Sequence, residues 1–236
     1  MEITKMKDRF EELKKNTVSA KGQLNESDSV KFDNPEGRGL RVMFVGNSIT
    51  LHAPAESIGW TGYWGMAASS KEKDYVHILE NEINKTHPDS AFCICQVAAW
   101  ERGYKNSAEI LPIYAEARAF SADVIICRFV ENVNPADYDS EAFIREYDGL
   151  LKFLDGKGSA KFIVTAGFWH HPADSDILRY AESCGYPTAV LSDLGEMKEM
   201  KAVGLFENSG VANHPGDLGM KGIADRIMEK FRELKA

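Results

Sequence analysis

Residues 40–50 read LRVMFVGNSIT, a nearly continuous apolar run that ends in a Gly-Asn-Ser turn. A strand that is covered on both faces has this composition, whereas a strand with one wet face alternates between apolar and polar residues. Similar runs recur along the chain with helical patterns between them, which indicates repeated βα units and a parallel sheet. The later runs are AFCICQVAA from Ala91, DVIICRF from Asp123, KFIVTAG from Lys161 and PTAVLSD from Pro187.

The helical patterns complete the prediction of the fold. They begin near Lys71, Asn106, Ser140 and Asp174, and a last amphipathic stripe follows Pro215. Five parallel strands with helices on both faces predict an α/β fold of three layers, a doubly wound sheet between two layers of helices. Residues 1–39 differ from the rest, because helical spacing gives way to a polar stretch. We therefore predict an N-terminal helix and linker over 1–39 and one domain over 40–236.

Composition and charge argue against several classes of partner. The 236-residue chain has a formal net charge of -8, and its basic residues are mixed with acidic ones, so we expect no nucleic-acid partner. No apolar run approaches the roughly 20 residues that cross a bilayer. The N-terminus is charged where a signal peptide needs an apolar stretch. We expect a cytoplasmic protein with no membrane partner, and the sequence leaves the oligomeric state open.

Cysteines and paired histidines raise the alternative of a metal site. The Cys93-x-Cys95 spacing suits neither a redox C-x-x-C motif nor a zinc finger, and cysteine in an apolar strand is usually a core residue. His170 and His171 stand near Asp174, but this spacing matches no familiar set of metal ligands. We therefore expect no metal site.

The residues after the first strand suggest a nucleophile. Ligands of a doubly wound sheet bind outside the carboxyl ends of the strands, where Ser48 is expected. A serine hydroxyl needs a base to remove its proton. Among six histidines, His77 and His87 belong to a helical pattern, whereas His214 lies in a loop that returns to the edge of Ser48. An ordinary turn remains the alternative for the Gly-Asn-Ser stretch, since Asn and Ser favour turns.

The motifs GNSIT at 46–50 and HPGDLGMKGIADRI at 214–227 together resemble the SGNH, or GDSL-like, hydrolase superfamily. The resemblance covers 40–236 and implies a flavodoxin-like sandwich with the parallel strand order 2-1-3-4-5. It implies an acylhydrolase without a cofactor, in which Ser48 is the nucleophile and His214 the base. It also makes Asn132, after the third strand, a donor to the oxyanion, although Val130 and Val133 replace the family's glycine and aspartate. A turn-capping asparagine is the alternative.

Two further positions depart from the family pattern. The family's second motif supplies a backbone N–H from a glycine, and here the best positional match is the N–H of Glu101. The family's aspartate three residues before the histidine is Val211 in this chain. We expect a backbone carbonyl, such as that of Val211, to orient His214 instead, or else the carboxylate of Glu207 or Asp193.

Tryptophans and charged residues near the predicted site suggest the substrate. All four tryptophans fall in loops at this edge, and flat rings at a wet site suit sugar faces, although tryptophan also anchors loops. Arg128 ends a buried strand and is expected to pair with a carboxylate. We predict hydrolysis of a short acyl ester, such as acetyl, of a carbohydrate or another polar alcohol. A lysophospholipase or thioesterase type of lipid hydrolase and a non-catalytic glycan-binding relative remain open. The candidate substrate contacts are Trp60, Trp64, Trp100, Glu131, Trp169 and His170.

Overall fold

Six strands form one sheet in the computed structural model, which describes residues 29–234. The order of the strands is β1-β3-β2-β4-β5-β6, and every neighbouring pair is parallel except β1 with β3. The five parallel strands therefore have the predicted order 2-1-3-4-5. The strands are β1 Val30–Asp33, β2 Arg41–Gly46, β3 Ala91–Gln96, β4 Val124–Arg128, β5 Lys161–Thr165 and β6 Thr188–Ala189.

Strand β1 corrects the predicted boundary at residue 39. Residues 30–33 were expected in a linker, but they pair antiparallel with β3 at the edge of the sheet. Val30 and Phe32 point into the core, and Phe32 packs against Phe120 with the ring centroids 5.8 Å apart. Two alternating apolar residues in a polar stretch are a weak strand signal, so the sequence prediction missed this strand. The predicted N-terminal helix lies outside the described residues.

Helices cover both faces of the sheet. Asp74, Asp139 and Asn208 cap three of them, since each side chain accepts a hydrogen bond from a backbone N–H of the first turn. The helix predicted from Asn106 is interrupted, because Pro112 has no backbone N–H to donate. No helix among residues 29–234 has both the length and the apolar character needed to cross a bilayer. The helices are α1 Tyr75–Thr86, α2 Ala98–Gly103, α3 Ser107–Ile110, α4 Ala115–Phe120, α5 Ser140–Leu154, α6 Asp174–Ser183, α7 Ser192–Glu196, α8 Ser209–Asn213 and α9 Asp217–Glu233. Short 3-10 turns occupy Glu56–Ile58, Lys71–Lys73, Tyr104–Asn106, Leu111–Tyr114, Pro135–Asp137 and Lys198–Met200.

Strand β2 divides the core into two halves. Met43 and Val45 belong to the apolar cluster that includes α5 and α6, whereas Val42 and Phe44 belong to the cluster that includes α1 and α9. Successive side chains of a strand point to opposite faces, so a continuous apolar run supplies both clusters. This arrangement confirms the predicted three-layer α/β/α sandwich.

The cysteines of the strands are core residues. Cys93, Cys95 and Cys127 are buried as free thiols, and burial raises the pKa of each. Thiols in this protonated state are poor nucleophiles and poor metal ligands.

A glycine at the end of β2 gives a test of this packing. A Cβ at Gly46 would lie 1.7 Å from Thr50 Oγ1 and 2.9 Å from the Arg128 carbonyl oxygen. We expect Gly46→Ala to lower the free energy of unfolding by about 3 kcal/mol, because these neighbours must move. Gly149→Ala is the matched control in α5, where a Cβ meets nothing within 4 Å, and it should raise the free energy by about 0.5–1 kcal/mol. Urea denaturation measures both, and equal effects would contradict the packing described here.

Candidate active site

Ser48 and His214 meet at the carboxyl edge of the sheet. Ser48 follows β2 by two residues, and His214 lies between α8 and α9. Ser48 Oγ is 2.8 Å from His214 Nε2, which is hydrogen-bond distance. The structure thus brings together two residues that are 166 positions apart. This contact has the geometry of a hydroxyl and its base.

A backbone carbonyl holds the other nitrogen of the imidazole. His214 Nδ1 lies 2.7 Å from the carbonyl oxygen of Gly210, four residues earlier in α8. The last carbonyls of a helix have no partner within the helix, so a histidine just past the end of α8 can bond to one. The predicted carbonyl is therefore present, but it is that of Gly210 and not that of Val211. The alternatives were wrong, since Asp193 binds Arg226 and Glu207 is exposed to solvent.

The carbonyl fixes the tautomer of the histidine. A carbonyl oxygen only accepts, so Nδ1 must carry the proton and Nε2 is left as the acceptor for Ser48. Burial lowers the pKa of His214, and the bond to Gly210 opposes this only in part. The imidazole is therefore neutral at pH 7, which is the form that accepts a proton.

Beneath Ser48 lies a buried ion pair. The Arg128 guanidinium is fully buried and donates to both carboxylate oxygens of Glu131, at 2.9 and 2.8 Å. This confirms the predicted carboxylate partner of Arg128. Burial alone would raise the pKa of Glu131, but Arg128 and the N–H of Phe168 lower it below its usual value. Glu131 is thus the counterion of Arg128, and its contact with substrate stays a prediction.

Asn47 joins this pair to a second buried carboxylate. Its Oδ1 accepts from Arg128 at 2.6 Å, and its Nδ2 donates to Glu131 and, at 3.0 Å, to Glu101. Burial, and then the charge of Glu131, raise the pKa of Glu101 to about 7. From sequence, Asn47 was predicted only to form a turn. Its position directly before Ser48, at the end of a buried strand, was the available signal.

The backbone of Glu101 does not have the predicted role. Its N–H donates to the Val97 carbonyl at 3.0 Å within the first turn of α2, so it is not available to an oxyanion. The Glu101 carboxylate instead accepts from Asn132 Nδ2 at 2.7 Å. This bond uses one of the two N–H groups of the Asn132 amide, and the other is left for a ligand. The oxyanion role of Asn132 stays a prediction.

The tryptophans divide into buried anchors and site residues. Trp100 is fully buried with its Nε1 bonded to Ser107, and Trp60 is 2% exposed with its Nε1 bonded to the His52 carbonyl. The predicted substrate contacts of Trp60 and Trp100 are therefore wrong. Sequence position alone does not reveal whether an indole N–H finds an internal partner.

Three other candidates retain access to solvent. Trp64 and Trp169 are partly exposed, and the Trp169 ring lies edge-on to the His214 ring with the centroids 5.2 Å apart. His170 is exposed and lies 2.9 Å from a carboxylate oxygen of Glu196. Of these, Trp169 is the candidate that touches the Ser48–His214 pair.

Comparison with known proteins supports the fold. No protein-family model and no curated protein matches this chain. A two-domain esterase active on acetylated mannans, crystallised with mannopentaose, superposes with a TM-score of 0.55 and 18% identity over 85% of this chain and 52% of that one. A family two carbohydrate esterase from Cellvibrio japonicus superposes with a TM-score of 0.55 and 14% identity over 84% of this chain and 61% of that one. This chain thus spans about half to three fifths of their lengths.

Such identities establish the fold and nothing finer. The resemblance to SGNH hydrolases that the two motifs carry is thereby confirmed at the level of the fold. The chain shares the α/β sandwich of these carbohydrate esterases, with β1 added to the predicted parallel sheet at one edge.

The buried Glu101 gives a pH-dependent prediction for stability. An acid with a pKa near 7 in the folded protein and 4.5 when unfolded binds extra protons in the folded state, so stability falls as pH rises between these values. Glu101→Gln removes this titration. The variant should therefore gain about 3 kcal/mol relative to wild type between pH 4.5 and pH 8. Chemical denaturation at several pH values measures the difference, and the exposed Glu182→Gln is the control for the loss of one carboxyl group.

Proposed function

We propose that this chain is a serine esterase that cleaves a short acyl ester, such as an acetyl ester, of a carbohydrate or another polar alcohol. The observation that carries the proposal is the 2.8 Å contact between Ser48 Oγ and His214 Nε2. A neutral imidazole at this distance is a general base for the hydroxyl. The bond from Nδ1 to the Gly210 carbonyl holds the ring in the required tautomer.

In the first half of the proposed reaction, Ser48 Oγ attacks the ester carbon while His214 Nε2 takes its proton. The C–O bond to the alcohol then breaks, and the imidazolium gives the proton to the departing alkoxide oxygen. In the second half, His214 takes a proton from water, and the hydroxide attacks the acyl carbon. Collapse releases the carboxylic acid and returns the proton to Ser48, so no cofactor is needed.

Three donors are proposed for the oxyanion. The first is the N–H of Ser48, and the second is the remaining side-chain N–H of Asn132. The third donor takes the place of the backbone N–H of Glu101, which was predicted for this role. Of the five backbone N–H groups at residues 97–101, four have partners among the described residues, and that of Ala99 has none. We assign the third donor to Ala99, because an unpartnered N–H near the start of α2 favours negative charge.

The substrate class rests on the surroundings of His214. Trp169 places an aromatic ring against the base and Trp64 is partly exposed, and such rings pack against sugar faces. The solved esterases that share the fold include one active on acetylated mannans. His170 and Glu196, both exposed, offer polar groups for substrate hydroxyls.

A lipid-directed hydrolase is the second candidate, and one surface feature favours it. Leu205 is 73% exposed and Val203 is 45% exposed in the loop that follows Ala202. The N–H of Ala202 donates to the carbonyl of His214, so this apolar loop begins beside the base. A long acyl chain would find apolar contact there.

The proposed pair is tested with p-nitrophenyl acetate. Ser48→Ala and His214→Ala should each lower kcat by about 10³-fold or more, because either change removes the base-assisted attack. Because burial lowers the pKa of His214, the wild-type rate should persist into mildly acidic solution and fall only at pH values below the usual pKa of a histidine, where the base becomes protonated. His170→Ala is the control for loss of a histidine and should keep most of the activity on this small ester. Turnover that survives Ser48→Ala would contradict the proposal, and glycan binding with no turnover by wild type would favour the non-catalytic relative.

The choice between the two substrate classes is tested by acyl-chain length. For a short-acyl esterase we expect kcat/KM to fall by about tenfold or more from p-nitrophenyl acetate to p-nitrophenyl octanoate, and Leu205→Asp to change neither value. For a lipid hydrolase the octanoate would be preferred, and Leu205→Asp would weaken octanoate hydrolysis alone. Acetate release from an acetylated mannan then tests the carbohydrate directly.

A further inference from the structure

We propose that Asp33, His77 and Glu80 form a binding site for a divalent transition-metal ion, with Zn²⁺ preferred, that fastens the edge strand β1 to α1. The three residues each offer a ligand atom, and these atoms all lie within 4.8 Å of one another. Asp33 ends β1, whereas His77 and Glu80 are three residues apart on α1 and so share one face of that helix. Local sequence motifs predicted no metal, because Asp33 is distant in sequence from His77 and Glu80.

Two buried polar atoms in the cluster lack a hydrogen bond. His77 and Glu80 are only 6% and 9% exposed, yet His77 Nε2 and Glu80 Oε1 make no hydrogen bond within the described part of the chain. Asp33 Oδ2 is 3.3 Å from His77 Nε2, a charge contact without hydrogen-bond alignment. Buried polar atoms normally find partners. Glu80 Oε1 has no partner, and His77 Nε2 has only the imperfect contact with Asp33, so an ion placed between the three side chains would satisfy both atoms.

The far side of the imidazole is already oriented for metal binding. His77 Nδ1 lies 2.7 Å from an oxygen of Asp74, which is fully buried. Histidines that bind metals usually donate their other ring N–H to such a carboxylate, which leaves the second nitrogen for the ion. The other Asp74 oxygen accepts from Gly65 at 2.9 Å, so the carboxylate is held in place.

The donor set selects the kind of ion. One imidazole nitrogen and two carboxylate oxygens suit Zn²⁺, which takes these ligands at about 2.0–2.2 Å in a tetrahedron. Ligand atoms of such a tetrahedron are about 3.4 Å apart, so small side-chain rotations close the site. The Asp33 side chain is 33% exposed, which gives an ion a path to the site and a solvent-facing position for the fourth ligand.

Lys71 supplies the competing charge in the absence of metal. Its ammonium lies 3.3 Å from both oxygens of Asp33 and is itself 47% exposed. A bound ion would displace it from Asp33. Removal of the Lys71 charge should therefore strengthen metal binding, an effect that a purely structural ion pair does not explain.

The test measures binding of ZnCl₂ to chelator-treated protein by calorimetry and by thermal unfolding. We expect one equivalent to bind and to raise the Tm of wild type. Asp33→Asn and Glu80→Gln should each weaken binding at least tenfold, while Lys71→Gln should tighten it. Glu82→Gln is the matched control, since this exposed carboxylate lies on the same helix outside the cluster and should leave binding unchanged.

A second measurement excludes binding elsewhere. Co²⁺ in the site should show the visible absorption of a tetrahedral nitrogen–oxygen complex in wild type and lose it in Glu80→Gln. No stoichiometric uptake by wild type would overturn the proposal. Uptake equally strong in Glu80→Gln and Glu82→Gln would also overturn it, because the ion would then be at another site, such as the exposed Cys184. Neither readout depends on ester hydrolysis, so failure here is separate from failure of the proposed function.

Discussion

The fully buried guanidinium of Arg128 is the constraint on which the rest of the site depends. An unpaired buried charge costs several kcal/mol, so the loops around Arg128 must keep their partners in place. Glu131 neutralises it from the loop after β4, Asn47 accepts from it after β2, and the N–H of Phe168 binds Glu131 from the loop after β5. Three strand ends are thereby joined beneath the surface. Ser48 is the next residue after Asn47, and this is why its hydroxyl has one defined position.

His214 is oriented by the carbonyl of Gly210 and not by a carboxylate, and this difference affects both the tautomer and the charge stabilisation of its imidazole. When asparagine replaces the aspartate of a catalytic triad, the rate falls by about 10⁴, because the histidine is left in the wrong tautomer. A carbonyl accepts only, so it keeps the tautomer that leaves Nε2 free to take a proton. It brings no full negative charge, however, so the imidazolium of the proposed reaction is stabilised less than it would be by a carboxylate. The nearby charge of Glu131 supplies part of that stabilisation, but burial still leaves the pKa of His214 below its ordinary value.

How much of the fold and of the candidate site can be predicted depends on which structural features have a recognisable sequence pattern. Continuous apolar runs predicted all five parallel strands, and the rule that sites lie at strand ends predicted that Ser48 and His214 lie close together. Strand β1 was missed because only the two apolar residues Val30 and Phe32 indicate it. The role of the Gly210 carbonyl was missed because every residue has a backbone carbonyl, so the sequence carries no signal of it. Trp100 and Trp169 look alike in sequence, since both follow strands, yet one ring is a buried anchor and the other lies against His214. Burial of that kind depends on helices α2 and α5 packing together, which no local pattern specifies.

The protonation states of Glu101 and His214 both affect the proposed chemistry. Ionised Glu101 accepts a hydrogen bond from the side-chain amide of Asn132 and so holds this amide in place. The same amide is proposed as a donor to the oxyanion, and the nearby negative charge of Glu101 opposes the negative charge of the oxyanion. With a pKa of about 7, raised first by burial and then by Glu131, this carboxyl loses much of its charge just below neutral pH. His214 must be neutral, which its lowered pKa allows in the same range. Just below neutral pH, a largely neutral carboxyl beside Asn132 therefore coexists with a neutral imidazole beside Ser48.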